Sequence, residues 1–346
     1  MNDKKVKLNI IASFPPPEGG TTILVKQLYN EIKELDSGYD VYKSDLSLSN
    51  ASISSFFNFI INFFKCSINS IHVSKGGATF IAPIIIILCK LFFKKSVFRM
   101  FGGQFDKYYT NSNIVKKMLV SFVLKNADLI YFETHGLVDF FAKKFPDSNI
   151  KHYANSRKAI GNRIVKSKFS NKIVFVGVLK KDKGVGVILE AAKLFPDISF
   201  EFVGPSVDDC LLDAMGKLSN CNYLGAVPSE KIYTLIKNAD YLALPTFHFG
   251  EGYPGVILEA YSIGVPVLST CWQYIPEIVI EGETGFLCKP NDVNSFHQLL
   301  NRVKSVSFSE YSEMSECCYS LFNENYISTQ LTKQFIDQVG DLQRAN

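Results

Sequence analysis

The chain has 346 residues, 47% of them hydrophobic and 20% charged, with a formal net charge of +4. That length and apolar content suit two domains of about 150 residues each and exclude a disordered chain. The small net charge, without a stripe of Arg interleaved with aromatics, does not point to a nucleic-acid binder.

The N-terminus, MNDKKVKLNIIASFPPP, is basic, but its apolar run is short and ends in prolines. It reads as a first strand, not as a signal peptide. A helix pattern follows over residues 22–35. Residues 55–64 (SFFNFIINFF) and 80–93 (FIAPIIIILCKLFF) are unusually apolar. Each falls short of the roughly 20 residues that span a bilayer. Two readings stand: a pair of core helices, or a helix lying on a membrane surface with Lys90, Lys94 and Lys95 facing lipid headgroups.

LNIIASF, SIHVSKGG, SVFRMFGG and LIYFET read as strands of a first sheet, with helices between them such as residues 114–125. A second series follows: KIVFVGVL, ISFEFVG, CNYLGAV, YLALPT, VPVLST and GFLCKP, with helices at 186–194 and 229–238. Strands alternating with helices predict parallel sheets in the βαβ manner. The polar, basic stretch at 155–171 separates the two series and reads as a linker. The expectation is an α/β fold of two facing Rossmann-like domains, residues 1–165 and 166–325. The amphipathic stretch 326–346 would pack back on the first domain. Ligands of open α/β sheets bind beyond the carboxyl ends of the strands, so the site is expected in the cleft between the sheets. None of the eight Cys forms a C-x-x-C pair, and no His stands at metal-finger spacing. They read as buried or incidental thiols in a reducing cytoplasm.

The most informative segment runs over residues 245–290, PTFHFGEGYPGVILEAYSIGVPVLSTCWQYIPEIVIEGETGFLCKP. Pro254 suits the first position of a helix, and Gly264 and Pro266 end it. Gly250, Gly252 and Gly255 let a ligand approach the backbone closely. Free N–H groups at Gly255 and Val256, with the helix dipole, suit a diphosphate. Glu251 in the loop cannot bind phosphate but can accept hydrogen bonds from sugar hydroxyls. Glu259, inside the helix, can accept both hydroxyls of a ribose. By themselves the two carboxylates read first as a cap and a helix-face residue. His248 reads as a packed loop residue and Trp272 as core or cleft wall. Asp208-Asp209 is not a D-x-D, and no ligand-spaced cluster suggests a metal.

Glu251 and Glu259 match the E-x7-E motif of the retaining family called glycosyl transferases group one. EGYPGVILEAYSIGVPVLST, IPEIVIEGETGFLCKPND, FVGVLKKDKGVGVILEA and YLGAVPSEKIYTLIKNADYLALPT resemble that family densely over residues 173–292. FPPPEGGTTILVKQL and FRMFGGQFDKYY resemble its N-terminal half more loosely, in the manner of transferases that build bacterial surface polysaccharides. The resemblance implies the two-domain GT-B fold. It implies that Glu251 holds the transferred sugar and that Lys183 pairs with the diphosphate and stabilises the leaving group. Gly19, Gly20, Val227, Gly252, Tyr253, Pro254, Gly255, Val256 and Glu259 would contact the donor, with the loop at Ala226 and Val227 meeting the base. Gly102 and Gly103 would face the acceptor side. Two positions depart from the family pattern: Val178 stands where Arg is usual and Phe101 where His is common.

The expected function is therefore transfer of a hexose, with retention and without a metal or other cofactor, from a nucleotide-diphosphate sugar. The expected acceptor is a saccharide hydroxyl, on a lipid-linked oligosaccharide at the cytoplasmic membrane face. A non-catalytic sugar- or partner-binding subunit, motivated by Val178 and Phe101, and a nucleotide-sugar epimerase are the alternatives.

Overall fold

The computed structural model describes residues 5–344 apart from residue 18, residues 36–37 and residues 48–51. The start of the basic N-terminus and Glu18 of the PPPEGG loop therefore lie outside the described residues. The chain divides into two compact units, Met1–Ser156 with Ser328–Asn346, and Arg157–Ile327.

In the first unit, strands β1 (Val6–Ala12), β2 (Tyr39–Asp45), β3 (Ile68–Val73), β4 (Lys95–Met100), β5 (Leu129–Phe132) and β6 (Ile150–His152) form one sheet, in the order β2-β1-β3-β4-β5-β6. In the second unit, β7 (Lys172–Val176), β8 (Ser199–Val203), β9 (Cys221–Gly225), β10 (Tyr241–Leu244), β11 (Val267–Thr270) and β12 (Gly285–Cys288) form another, in the order β12-β11-β10-β7-β8-β9. All pairings are parallel. Parallel strands are covered on both faces and so read as continuous apolar runs. LIYF of β5, YLAL of β10 and VLST of β11 are buried along their whole length.

The core of the first unit gathers Leu8 and Ile10 of β1, Leu28 and Ile32 of the helix Gly20–Glu34, and Phe335 and Val339 of the C-terminal helix Ser328–Arg344. A buried carboxylate is costly unless satisfied. Glu31 is satisfied by Ser328 Oγ and by Thr332 Oγ1 at 2.6 Å, which ties that last helix to the helix Gly20–Glu34.

The core-helix expectation fails for residues 55–64. The helix Ile53–Lys65 buries only Phe63: its polar residues Ser54, Asn58, Asn62 and Lys65 share one face, Asn62 on that face donates from Nδ2 to Lys43 O at 3.0 Å, and most of its apolar side chains are left at the surface. The helix Ala82–Leu91 buries one side, through Ile85, Ile86 and Cys89. Lys94 does not stand free either. Its Nζ donates to Phe64 O and Cys66 O, both at 2.7 Å. Among the described residues no helix is long and apolar enough to cross a membrane. Burial pushes the Cys66 thiol up to about 11 and the Cys89 thiol up to about 12, so both stay protonated and unreactive.

Strand order fixes where each unit can bind a ligand. In an open α/β sheet the crevice lies at the carboxyl ends of the two strands where the order reverses. Those are β1 and β3 in the first unit, and β7 and β10 in the second.

Candidate active site

In the second unit the loops after β7 and β10 carry the two residues expected to do chemistry. Gly184 closes the first loop at φ +80°, and a Cβ there would lie 2.1 Å from Pro245 O. Only glycine lets the loops approach so closely. Phe247 N then donates to Asp182 O at 2.8 Å, stitching them together. Lys183 Nζ and Glu251 Oε2 consequently form a direct ion pair, although they are 68 positions apart. Glu251 is 9% exposed, and Thr246 Oγ1 donates to its Oε2 at 3.0 Å.

Beside this pair, Asp182 Oδ2 lies 2.6 Å from His248 Nδ1 and 3.2 Å from Lys180 Nζ. Burial pushes the Asp182 carboxyl up. The hydrogen bonds and charges of His248 and Lys180 together outweigh it and hold the carboxyl below the usual carboxylate range. Trp272 Nε1 donates to His248 O at 2.8 Å, which fixes the outer end of the loop. His248 is thus a packed loop residue and Trp272 its support.

Pro254 caps the helix Gly255–Tyr261, so the amides of Gly255 and Val256 precede its first internal bond. Arg157 occupies the space in front of them. A Cβ on Gly255 would fall 1.6 Å from Arg157 Nη2. Arg157 Nε donates to Glu259 Oε1 at 2.8 Å, with both side chains mostly buried. Gly252 and Tyr253 are buried, and Tyr253 OH donates to Glu277 Oε2 at 2.5 Å. Val227 lies half-buried just after β9, beside exposed Ala226, away from the switch-point strands.

In the first unit Gly19 caps the helix Gly20–Glu34, its N–H donating to Thr22 Oγ1 at 2.9 Å. Both glycines are exposed, and nothing stands within 4 Å of a Cβ on Gly20. Gly102 N donates to Glu133 Oε1 at 3.3 Å, and Gly103 is buried. A cavity of about 520 Å3 opens at this unit's switch point, lined by Ser13 and Phe14 after β1, His72 and Ser74 around the end of β3, Thr21, Thr22 and Phe101. His72 is 2% exposed. Its Nε2 lies 2.8 Å from Ser70 Oγ, while its Nδ1 has no hydrogen-bond partner.

Residues 156–316, nearly all of the second unit, match the family model of Glycosyl transferases group 1. That match covers a little under half of the chain. Two relatives and one solved structure illustrate its neighbourhood. An uncharacterized 41.2 kDa protein in the cps region of Klebsiella pneumoniae is 24% identical over 95% of this chain and 98% of its own length. The O-antigen chain mannosyltransferase B of Escherichia coli is 31% identical over 40% of this chain and 38% of its own. The crystal structure of Anabaena HepE in complex with UDP superposes with a TM-score of 0.74 at 13% identity, covering 97% of this chain and all of that one. The fold is GT-B.

The second unit holds Lys183, Glu251 and Glu259, and Val178, where the resemblance leads one to expect Arg, is exposed. Sequence reasoning missed Arg157, Thr246 and Asp182 in this unit, and His72 in the first. Arg157 lay inside the basic stretch taken for a linker. Thr246 lay in the quoted loop, with only its position before Glu251 as a signal. His72 carried no motif; it stands beside Phe101, with ring centroids 6.4 Å apart.

Proposed function

We propose that the protein is a retaining hexosyltransferase that uses a nucleotide-diphosphate sugar and a saccharide acceptor. We further propose that the acceptor is lipid-linked, within bacterial surface polysaccharide synthesis. The observation that carries this reading is the mostly buried ion pair of Lys183 and Glu251 at the switch point of a unit that matches glycosyl transferases group 1. The names of the Klebsiella and Escherichia relatives support the polysaccharide setting.

In the free protein each of the two charges neutralises the other. An entering diphosphate competes for Lys183, which moves from the carboxylate to the phosphate. Glu251, still held by Thr246, then accepts hydrogen bonds from the sugar. Lys183 stabilises the charge that grows on the diphosphate as the anomeric C–O bond breaks. The acceptor oxygen bonds to the same face of the anomeric carbon, and its proton passes to the leaving phosphate oxygen. Lys183 thereby supplies the cation, so the reading includes independence of a metal. Glu259, oriented by Arg157, accepts from the ribose, and the first-unit cavity beside Gly19, Gly20, Gly102 and Gly103 serves the acceptor.

The test is nucleotide binding followed by turnover. Calorimetric titration with UDP, GDP and ADP identifies the donor class, and UDP comes first because HepE was solved with it. Transfer is then followed with the matching sugar donor, with and without EDTA. Release of nucleotide that depends on acceptor and is absent in Glu251→Gln supports the reading. Normal turnover by folded Glu251→Gln overturns it. A chain that binds nucleotide but never transfers supports the non-catalytic subunit, the reading that Val178 and Phe101 favour.

A further inference from the structure

The first unit exposes apolar side chains on three helices. On Ile53–Lys65, Phe56 is 61% and Phe57 57% exposed, and on Ala82–Leu91, Ile84 is 60% and Leu91 65% exposed. Ile114–Asn126 packs beside the second of these and shows Ile114, Val115 and Met118 to solvent. Contiguous apolar surface on this scale marks an interaction site. Between the first two helices runs an open groove of about 320 Å3, walled mainly by Phe56, Phe59, Ile81, Ile84, Ile85 and Leu88. Phe64 of the first helix also packs on Phe92, just past the second, with ring centroids 4.8 Å apart.

Charge identifies what this surface meets. Residues 45–128 hold nine Lys and one Arg against Asp45, Asp106 and Asp128, a net of +7, whereas the whole chain carries +4. Lys65 and Lys90 are exposed on the two groove helices, and Lys116 and Lys117 lie on the third. An apolar face with lysines around it, and Asp45 as the one carboxylate lining its groove, fits an anionic lipid surface, where each cation near the headgroups adds about 1 kcal/mol.

We propose that this face of the first unit docks on an anionic bilayer, with one lipid hydrocarbon chain in the groove between Phe56 and Ile84. The proposal extends the reading of a lipid-linked acceptor. Vesicle binding is measured without donor or acceptor, so the two fail separately.

The full chain is floated with phosphatidylcholine vesicles with and without phosphatidylglycerol. Binding is expected only with the anionic lipid, and Phe56→Asp with Ile84→Asp should weaken it at least about tenfold. Both positions are exposed, and an unchanged melting transition checks that the variant folds. As a second readout, Phe56→Trp should show fluorescence quenched by brominated acyl chains. Absence of vesicle binding, or binding indifferent to the Asp substitutions, overturns the proposal. So does a dimer that the same substitutions dissolve while vesicles stay unbound, since the face would then belong to a second copy.

Discussion

The Arg157 guanidinium fills the space in front of Gly255 and donates from Nε to Glu259 Oε1 at 2.8 Å. Gly255→Ala would put a methyl 1.6 Å from Nη2, but that atom ends a flexible side chain, so Arg157 swings aside and the fold survives. The prediction is a near-normal melting temperature with weakened nucleotide binding. Glu259→Ala should lose about 1–3 kcal/mol of binding, the value of a charged hydrogen-bond partner. Arg157 acts through Glu259, so Arg157→Ala should weaken binding in the native background and add little in Glu259→Ala. Calorimetry of the double-mutant cycle checks this; additive losses would mean that Arg157 meets the ligand directly.

Lys183 and Glu251 differ in what each leaves behind. Lys183→Met strands the Glu251 carboxylate at 9% exposure with Thr246 as its remaining donor. Uncompensated charges in full burial cost about 3–5 kcal/mol, and the partial exposure here reduces that figure. Glu251→Gln keeps the shape and leaves a lysine that can reach water. Denaturant midpoints should therefore fall further for Lys183→Met than for Glu251→Gln, while both variants lose transfer. Equal midpoints would show that the pair is solvated in solution.

Both of these residues were legible in the sequence, and their meeting was not. Glu251 announced itself through its spacing to Glu259, and Lys183 through KKDKG. Their contact depends on β7 and β10 lying side by side, which only the strand order supplies. The fully buried strands were readable as apolar runs. The edge strands β2 (YDVYKSD) and β6 (IKH) were not, because an edge half-open to water needs no such run. The helix Ile53–Lys65 misled for the opposite reason. Its polar residues Ser54, Asn58, Asn62 and Lys65 recur at helical spacing, but that periodicity marks an apolar face without saying whether anything covers it. Arg157 was hidden by neighbours of the same charge, which made a buried, paired cation look like solvated linker.

Gly184 predicts a larger loss than Gly255. Its φ of +80° strains any other residue, and the atom a Cβ would meet at 2.1 Å is the backbone oxygen of Pro245. A backbone atom cannot rotate away as a guanidinium can. Gly184→Ala should cost about 2 kcal/mol or more. It should also abolish transfer, because separating the loops separates Lys183 from Glu251. Urea unfolding and turnover measured together test this. Full stability with full activity would mean that the two loops do not hold this approach in solution.

His72 sets a pH dependence in the first unit. Burial, and then the charge of Arg99 on β4, hold its pKa well below the ordinary value of 6.5. The other groups around the ring, Ser70, Phe101 and Phe335, are neutral. In the unfolded chain His72 takes up a proton near pH 6.5, whereas in the native protein it stays neutral to much lower pH. Between those two pKa values the unfolded state binds more protons, so stability falls as pH falls. The contribution is complete above about pH 6.5 and is lost at up to about 1.4 kcal/mol per pH unit below it. His72→Gln, which keeps a polar group for Ser70, removes the titration. Urea unfolding at about pH 7.5 and about pH 5.5 should show a smaller drop for the variant than for the native chain. Parallel drops would place the acid sensitivity in the carboxylates, with Asp182, held by His248 and Lys180, the first to examine.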